Sequence, residues 1–323
     1  MRLLGVELTR FHSRRAIVLI LVAAALLTAL LALTTIWDTR PVSANELAQA
    51  EALAQAEAQR PRHQRELESC ERDPQQFFGP DAAIEDCAQL TPKPEWFTGR
   101  PTLSLEEQKG TSGAAVIILV TALMVVIGTT FAGADWASGS VSNQVLFEPR
   151  RPRVWSAKAG AVLLGTLAAT AVILAGFWVA LYVVAESRGI VTGAGVQEEI
   201  RWTVARGVLL SAGAAVGAYA LTMLLRHTVG TLAVLFAYAI GGEILIATLP
   251  IEGIGRWSLY NNVAAWLGNG YTYYDPSLPC PPGLEYCTQA AFLSLGGAAA
   301  FLGGLVLVAG ALSLLHFRRR DIP

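Results

Sequence analysis

The chain has 323 residues, of which 53% are hydrophobic and only 15% charged, with a mean hydropathy of +0.46. A soluble domain carries about 25% charged residues, so the composition excludes an ordinary water-soluble globule and indicates a membrane protein. The net charge of −1 singles out no partner, because the charges are segregated along the chain and their positions carry the information.

The chain opens on "MRLLGVELTRFHSRR". Apolar residues at 3, 4, 6, 8 and 11 and basic ones at 2, 10, 14 and 15 predict an amphipathic helix over 1–15, lying in the membrane interface. Six apolar stretches follow, at 16–36, 111–132, 158–185, 203–225, 228–249 and 290–316, each near the roughly 20 residues a spanning helix needs. A helix satisfies its own backbone in lipid, so the expected fold is an all-α bundle of six transmembrane helices. The first stretch is longer than the apolar core of a signal peptide and lacks a convincing cleavage site; it is expected to remain as an anchor.

Orientation follows from Lys and Arg. Arg2, Arg10, Arg14 and Arg15 precede the first span, Arg150, Arg151, Arg153 and Lys158 follow the second, Arg226 separates the fourth from the fifth, and Arg318, Arg319 and Arg320 follow the sixth. These segments alternate consistently, which predicts that both termini are cytoplasmic. The loop 37–110 carries 14 acidic and 8 basic residues, a balance of −6 that suits the outside.

Within that loop, Ser43 and Glu46 form a capping-box pattern ahead of the alanine-rich "ANELAQAEALAQAEAQR", a strong helix former stopped by Pro61. All four cysteines, Cys70, Cys87, Cys280 and Cys287, fall in segments assigned outside, where disulfides persist. Three pairings are open to four cysteines; the local ones, Cys70–Cys87 and Cys280–Cys287, need no contact between loops.

Residues 186–202 form a second external loop. The segment 250–289, rich in Trp, Tyr and Gly, is expected to hold a short re-entrant or interfacial helix pair, ahead of a cytoplasmic tail at 317–323. Gly213 with Gly217, and Gly296 with Ala300 and Gly304, mark expected close helix contacts. An ionisable residue inside a span is a functional candidate, and Glu243 is one. Arg206 lies at similar depth in the preceding span, so the two are expected to pair.

No G-x-x-x-x-G-K-[ST] or H-E-x-x-H pattern occurs. No catalytic or metal site is expected in this chain, and nothing calls for a nucleic-acid partner.

The cytoplasmic segment 133–157 has more pattern than topology requires. Asp135 and Trp136 are followed by Gly139-Ser140, an apolar turn through Val145, Leu146 and Phe147, then Glu148, Pro149 and the basic run Arg150, Arg151 and Arg153, with Lys158 opening the next span. The reading is a short helix lying across the membrane face with an apolar side free for a partner's groove. On these residues the chain resembles the ABC-2 type permeases, the membrane subunits of ABC exporters. Their pattern is an acidic residue, Gly-Thr or Gly-Ser, an apolar pair, proline, arginines and a lysine; here Asp135 stands where glutamate is usual. The N-terminal helix, six spans, helical segment between spans five and six and terminal "FRRRDI" match in layout. The 37–110 loop departs from the most compact members.

The resemblance implies that 133–157 is a coupling region, with Asp135, Trp136, Gly139, Leu146, Phe147, Glu148, Pro149, Arg150, Arg151 and Arg153 facing a separate ATPase subunit. ATP and magnesium would then belong to that subunit, present in two copies, and a second permease subunit, identical or paralogous, would complete the path. Membrane lipids are the remaining expected partners. The competing expectation is a non-transporting interaction or sensor protein that works through its external loop.

Overall fold

The computed structural model describes residues 2–78, 83–249, 251–275, 278 and 289–319. In chain order its helices are α1 (Arg2–Ser13), α2 (Arg15–Asp38), α3 (Ala44–Ala58), α4 (Pro61–Arg72), α5 (Pro74–Phe78), α6 (Leu105–Gly110), α7 (Ser112–Ala137), α8 (Ser140–Phe147), α9 (Arg151–Ser187) and α10 (Ala194–Leu225). There follow α11 (Thr228–Phe236), a π-helical turn Ala237–Gly241, α12 (Gly242–Thr248), α13 (Leu259–Gly268), strands β1 (Tyr271–Tyr274) and β2 (Ala290–Leu293), and α14 (Leu295–Arg319). Among the described residues, six helical stretches are long and apolar enough to cross a bilayer: Arg15–Asp38, Leu105–Ala137, Arg151–Ser187, Ala194–Leu225, Thr228–Thr248 and Leu295–Arg319. This is the pattern of a multi-pass membrane protein.

The first four of these stretches overrun the apolar runs from which spans are read, because caps rather than hydropathy end a helix. Gly139, at φ 66°, turns the chain after α7. Pro152 sits in the first turn of α9, where its missing N–H costs nothing. Between α10 and α11 the turn is two residues, as the sequence suggests. Arg226 takes the left-handed conformation at φ 61°, and His227 caps α11, its Nδ1 accepting the Gly230 N–H at 2.9 Å.

Contacts divide the chain into two compact units, Met1–Ala32 with Leu105–Pro323, and Leu33–Ser104. In the first, α10 packs against α7, α9 and α14. Val116, Ile117, Val120, Met124 and Ile127 of α7 are all buried. A Cβ on Gly128 would collide with the Ala215 carbonyl, and one on Gly207 would lie 3.0 Å from Ile117, so these glycines set the α7–α10 approach. The expected small-residue motifs do not do this: Gly213, Gly296 and Gly304 have nothing within 4 Å, and Gly217 only approaches Val306 at 3.6 Å. The working stripe on α10 is Gly207, Ser211, Ala215 and Ala218, at helical spacing. Ser211 and Thr121 share a hydroxyl hydrogen bond of 2.8 Å there.

One feature departs from an all-α description. β1 and β2 form an antiparallel pair, Tyr271 opposite Leu293 and Tyr274 opposite Ala290. Thus α14 begins at Leu295, and residues 290–293, expected to open the sixth span, are strand instead. In the segment expected to hold a short helix pair, the described residues form a 3-10 turn (Ile254–Trp257), α13 and then β1, since the aromatic run "YTYY" has high strand propensity.

In the second unit, Ser43 and Glu46 make the capping box at the start of α3, and α3 ends at Ala58 ahead of Pro61, which itself opens α4. The Glu46 carboxyl also meets Arg100. Its pKa is held below the ordinary carboxylate value by the Ser43 backbone N–H and hydroxyl, with Arg100 adding to the effect. Cys70 and Cys87 form a disulfide with their Cα atoms 5.9 Å apart. The expected Cys280–Cys287 pair lies outside the described residues.

Candidate functional site

Four chain segments expected on one face meet at one end of the bundle, through contacts between buried side chains. The last turn of α7 supplies Asp135, the first turns of α9 supply Lys158, α1 supplies Glu7 and Arg10, and Arg14 stands between α1 and α2. Lys158 is fully buried and Asp135 is 1% exposed. Lys158 Nζ donates to Glu7 Oε2 at 3.1 Å and also to Asp135 Oδ2. Arg14 donates to Asp135 Oδ1 and, at 2.6 Å, to the Phe131 carbonyl. Arg10 reaches Glu7 at 3.0 Å and Asp135 at 3.6 Å, and the Ser140 hydroxyl donates to Asp135 Oδ1 at 2.9 Å. Every described charge in the cluster is thus paired, which is what allows it to be buried.

Phe131 is the apolar floor of this cluster. The Arg14 guanidinium lies 4.7 Å and the Lys158 ammonium 5.4 Å from its ring centre, both within cation–π range. Phe11 of α1 packs beside it at 5.7 Å and fills the space over Gly165 of α9. The amphipathic helix is therefore bolted to the bundle by its apolar face and by Glu7. Around Asp135, Trp136 stacks under Arg226 at 4.4 Å and meets Phe317 of α14 edge-on at 6.4 Å. The turn between α10 and α11 and the last turn of α14 thereby join the same end.

From this base projects α8. Its Val141 is buried inward, while Leu146 and Phe147 at its far end are 81% and 91% exposed. Glu148 then accepts the Arg150 backbone N–H at 3.2 Å and stands 3.9 Å from the Arg153 guanidinium. Pro149 follows it, Arg150 stands at the N-cap of α9, and Arg151 and Arg153 lie in its first turn. Of the residues expected in the coupling region, Asp135 and Trp136 are thus part of the base, Gly139 is the turn, and Leu146 and Phe147 are the outward tip. Glu7 and Arg14 were not among the expected site residues. The signal for Glu7 was present: it is the single acidic residue in an otherwise basic stretch of 15.

The expected Glu243–Arg206 pair is not the one the structure makes. Glu243 Oε2 accepts the Ser258 hydroxyl at 2.7 Å, and Oε1 accepts the Tyr260 backbone N–H at 3.1 Å. Arg206 donates to Asn269 Oδ1 at 3.0 Å and to the Leu267 carbonyl at 3.4 Å, while the Trp266 indole donates to the Arg206 carbonyl at 2.9 Å. Ser258 is the N-cap of α13 and Asn269 its C-cap. The acid therefore holds the N-terminus of α13 and the base its C-terminus. The helix dipole favours each placement, and unsatisfied terminal N–H and C=O groups compete with a direct pair. Arg206 lies 20 residues from Arg226, about 30 Å along α10 at 1.5 Å per residue, so α13 sits far from the charged base.

Comparison with family models, with curated proteins and with solved structures finds no match for this chain.

Proposed function

We propose that the chain is the membrane-spanning permease subunit of an ATP-driven exporter of the ABC-2 type, moving a lipid-like, amphipathic or peptide substrate outward. The observation that carries this reading is the exposed apolar pair Leu146 and Phe147, held out on a short helix whose base is locked by Asp135, Lys158, Glu7 and Arg14. Two large apolar side chains left in water at the end of a rigid arm suit a groove on another polypeptide. In this reading α8 docks into an ATPase subunit, two of which serve two permease subunits, identical or paralogous. ATP and magnesium belong to the ATPase. The basic end faces the cytoplasm of a plasma-membrane protein.

The mechanism follows from the lock. When the ATPases close on ATP they push α8, which continues α7 through Gly139 and is tied to Asp135 by Ser140. Asp135 is gripped by Lys158 of α9 and by Arg14 at the head of α2. A displacement of α8 therefore moves three spans together. Through the contacts of α7 and α9 with α10, and of Arg206 with the end of α13, it reaches the opposite end of the path.

A specific observation also supports the competing reading of an interaction or sensor protein. Leu33–Ser104 is a compact unit of its own, stapled by a disulfide, as a partner-binding module would be. The two readings separate on purification from the native membrane: an exporter brings down an ATPase polypeptide in equal number with hydrolysis coupled to it. Phe147→Ala and Leu146→Ala should each weaken that association by about 30-fold, the equivalent of about 2 kcal/mol for a buried anchor. Unchanged retention and hydrolysis in both variants would refute the exporter reading.

A further inference from the structure

Behind the apolar tip of α8 lies a concavity of different chemistry. Pro149, Arg150, Arg151, Pro152, Arg153 and Arg318 line a space of about 460 Å³. Four of these six residues are arginines; the acid beside them is Glu148, which accepts the Arg150 backbone N–H and stands 3.9 Å from the Arg153 guanidinium, so the lining keeps a strong positive excess. Arg318 comes from the last turn of α14, the others from the start of α9 and the segment before it.

The backbone beneath this concavity is fixed. The Trp155 indole donates to Ser313 Oγ at 3.1 Å, and the Tyr219 hydroxyl donates to the Trp155 carbonyl at 3.0 Å. The Trp155 ring also lies 3.7 Å from where a Cβ on Gly310 would stand. These contacts join α9, α10 and α14. Arg151 is four residues before Trp155 and Arg318 five after Ser313, about 6 and 7.5 Å along their helices. The arginines thus cluster because two helix ends are pinned side by side, not because a loose loop has folded over.

Both α9 and α14 are candidate spans by length and composition. Arg318 stands one residue before the end of the 25-residue α14, a helix about 37 Å long whose ends suit the headgroup level of a hydrocarbon core of about 30 Å. The last turns of α14 also carry Leu312 and Leu315, both about half exposed, and most of that helix's apolar surface is open. Arg318 and these exposed leucines thus lie within two turns of one helix end. Guanidinium groups bind phosphate oxygens in a bidentate manner. We propose that this concavity binds the headgroup phosphate of an anionic phospholipid, with its acyl chains along Leu312 and Leu315 of α14. A lipid fits better than the acidic surface of a protein partner, because the site is completed by a spanning helix and continues into lipid-facing side chains. Its placement does not depend on the ATPase reading, and it gives Arg150, Arg151 and Arg153 a task separate from docking.

The test is native mass spectrometry of the full-length protein titrated with phosphatidylglycerol or phosphatidylcholine. Phosphatidylglycerol should bind at least tenfold more tightly. A basic residue near an anionic headgroup contributes about fivefold, so Arg318→Gln alone should weaken phosphatidylglycerol by about fivefold. The triple change Arg150→Gln, Arg153→Gln, Arg318→Gln should weaken it by tenfold or more with phosphatidylcholine unaffected. The charge-matched triple Arg62→Gln, Arg65→Gln, Arg72→Gln, and Arg15→Gln near the same end, should change nothing. Arg318→Gln keeps the test decisive if the triple variant fails to fold. Equal losses in the control variants would reduce the effect to diffuse charge, and displacement by millimolar inorganic phosphate would point to a free anion. Intact lipid binding in the Arg318 variant, or arginine variants that lose only a protein partner, would also overturn the proposal.

Discussion

Lys158 carries its charge where no surface is exposed, 3.1 Å from Glu7 and in contact with Asp135. Removing one member of a buried pair costs about 3–5 kcal/mol, because the abandoned charge stays in a poor solvent. Arg14 and Arg10 still face Asp135 in such a variant, so the lower end of that range applies. Lys158→Met should lower the thermal unfolding midpoint of the purified protein by several degrees. Adding Asp135→Asn should restore part of the loss, since the two effects are coupled rather than additive. Additive losses would mean that the side chains only fill space. Lys158→Arg is not a conservative test, because a planar fork does not replace a point charge between two carboxylates.

A second residue-scale expectation concerns pH. Glu46 has a folded pKa below its ordinary value, so its cap contributes to α3 at neutral pH. That contribution is lost as pH falls through the folded value. The group is solvent-exposed, so the effect is small. Glu46→Gln should flatten the acid limb of helix content in the wild-type protein; an unchanged acid limb would show that the capping carboxylate has no measurable part in it.

At the scale of elements, α13 is held at both termini by charges from different helices. Glu243→Gln should loosen its start and Arg206→Gln its end. In the absence of a direct pair, Arg206→Gln should not rescue Glu243→Gln, and losses in hydrogen-exchange protection of α13 should add. Rescue would restore the ion pair the structure replaces. Depth along two neighbouring spans picked out Glu243 and Arg206, and the aromatic segment after the fifth span read as helical, but nothing in the spacing tied the two charges to the two ends of α13. The six apolar helices, the two-residue turn at Arg226-His227 and the cap at Ser43 were legible because each rests on local chemistry. Asp135 and Lys158 were legible as the ends of a pattern, but their partners Glu7 and Arg14 are more than 100 residues away in the chain and carry no spacing signal. The small-residue motifs misled for a related reason: Gly213 and Gly217 have the right period, yet Gly207 and Gly128 are the positions where backbones meet.

At the largest scale, Leu33–Ser104 is a compact unit stapled by a disulfide, and in the other unit a charged base supports the exposed apolar tip of α8. The Cys70–Cys87 bond closes a loop of separation 17, for which chain entropy gives about 3 kcal/mol. Cys70→Ser with Cys87→Ser should lower the resistance of that unit to proteolysis while leaving insertion of the spans intact. Loss of insertion would mean that the unit is needed to assemble the bundle.

The proposed transmission of force from a separate ATPase through α8 and the Asp135–Lys158 lock can be measured. Its most direct measurement is ATP hydrolysis and transport by the purified complex bearing Leu146→Ala with Phe147→Ala, compared with Lys158→Met. The tip variant should lose the ATPase while the bundle keeps its unfolding temperature. The lock variant should retain the ATPase but hydrolyse ATP without moving substrate. A tip variant that binds, hydrolyses and transports like the wild type would show that α8 carries no coupling.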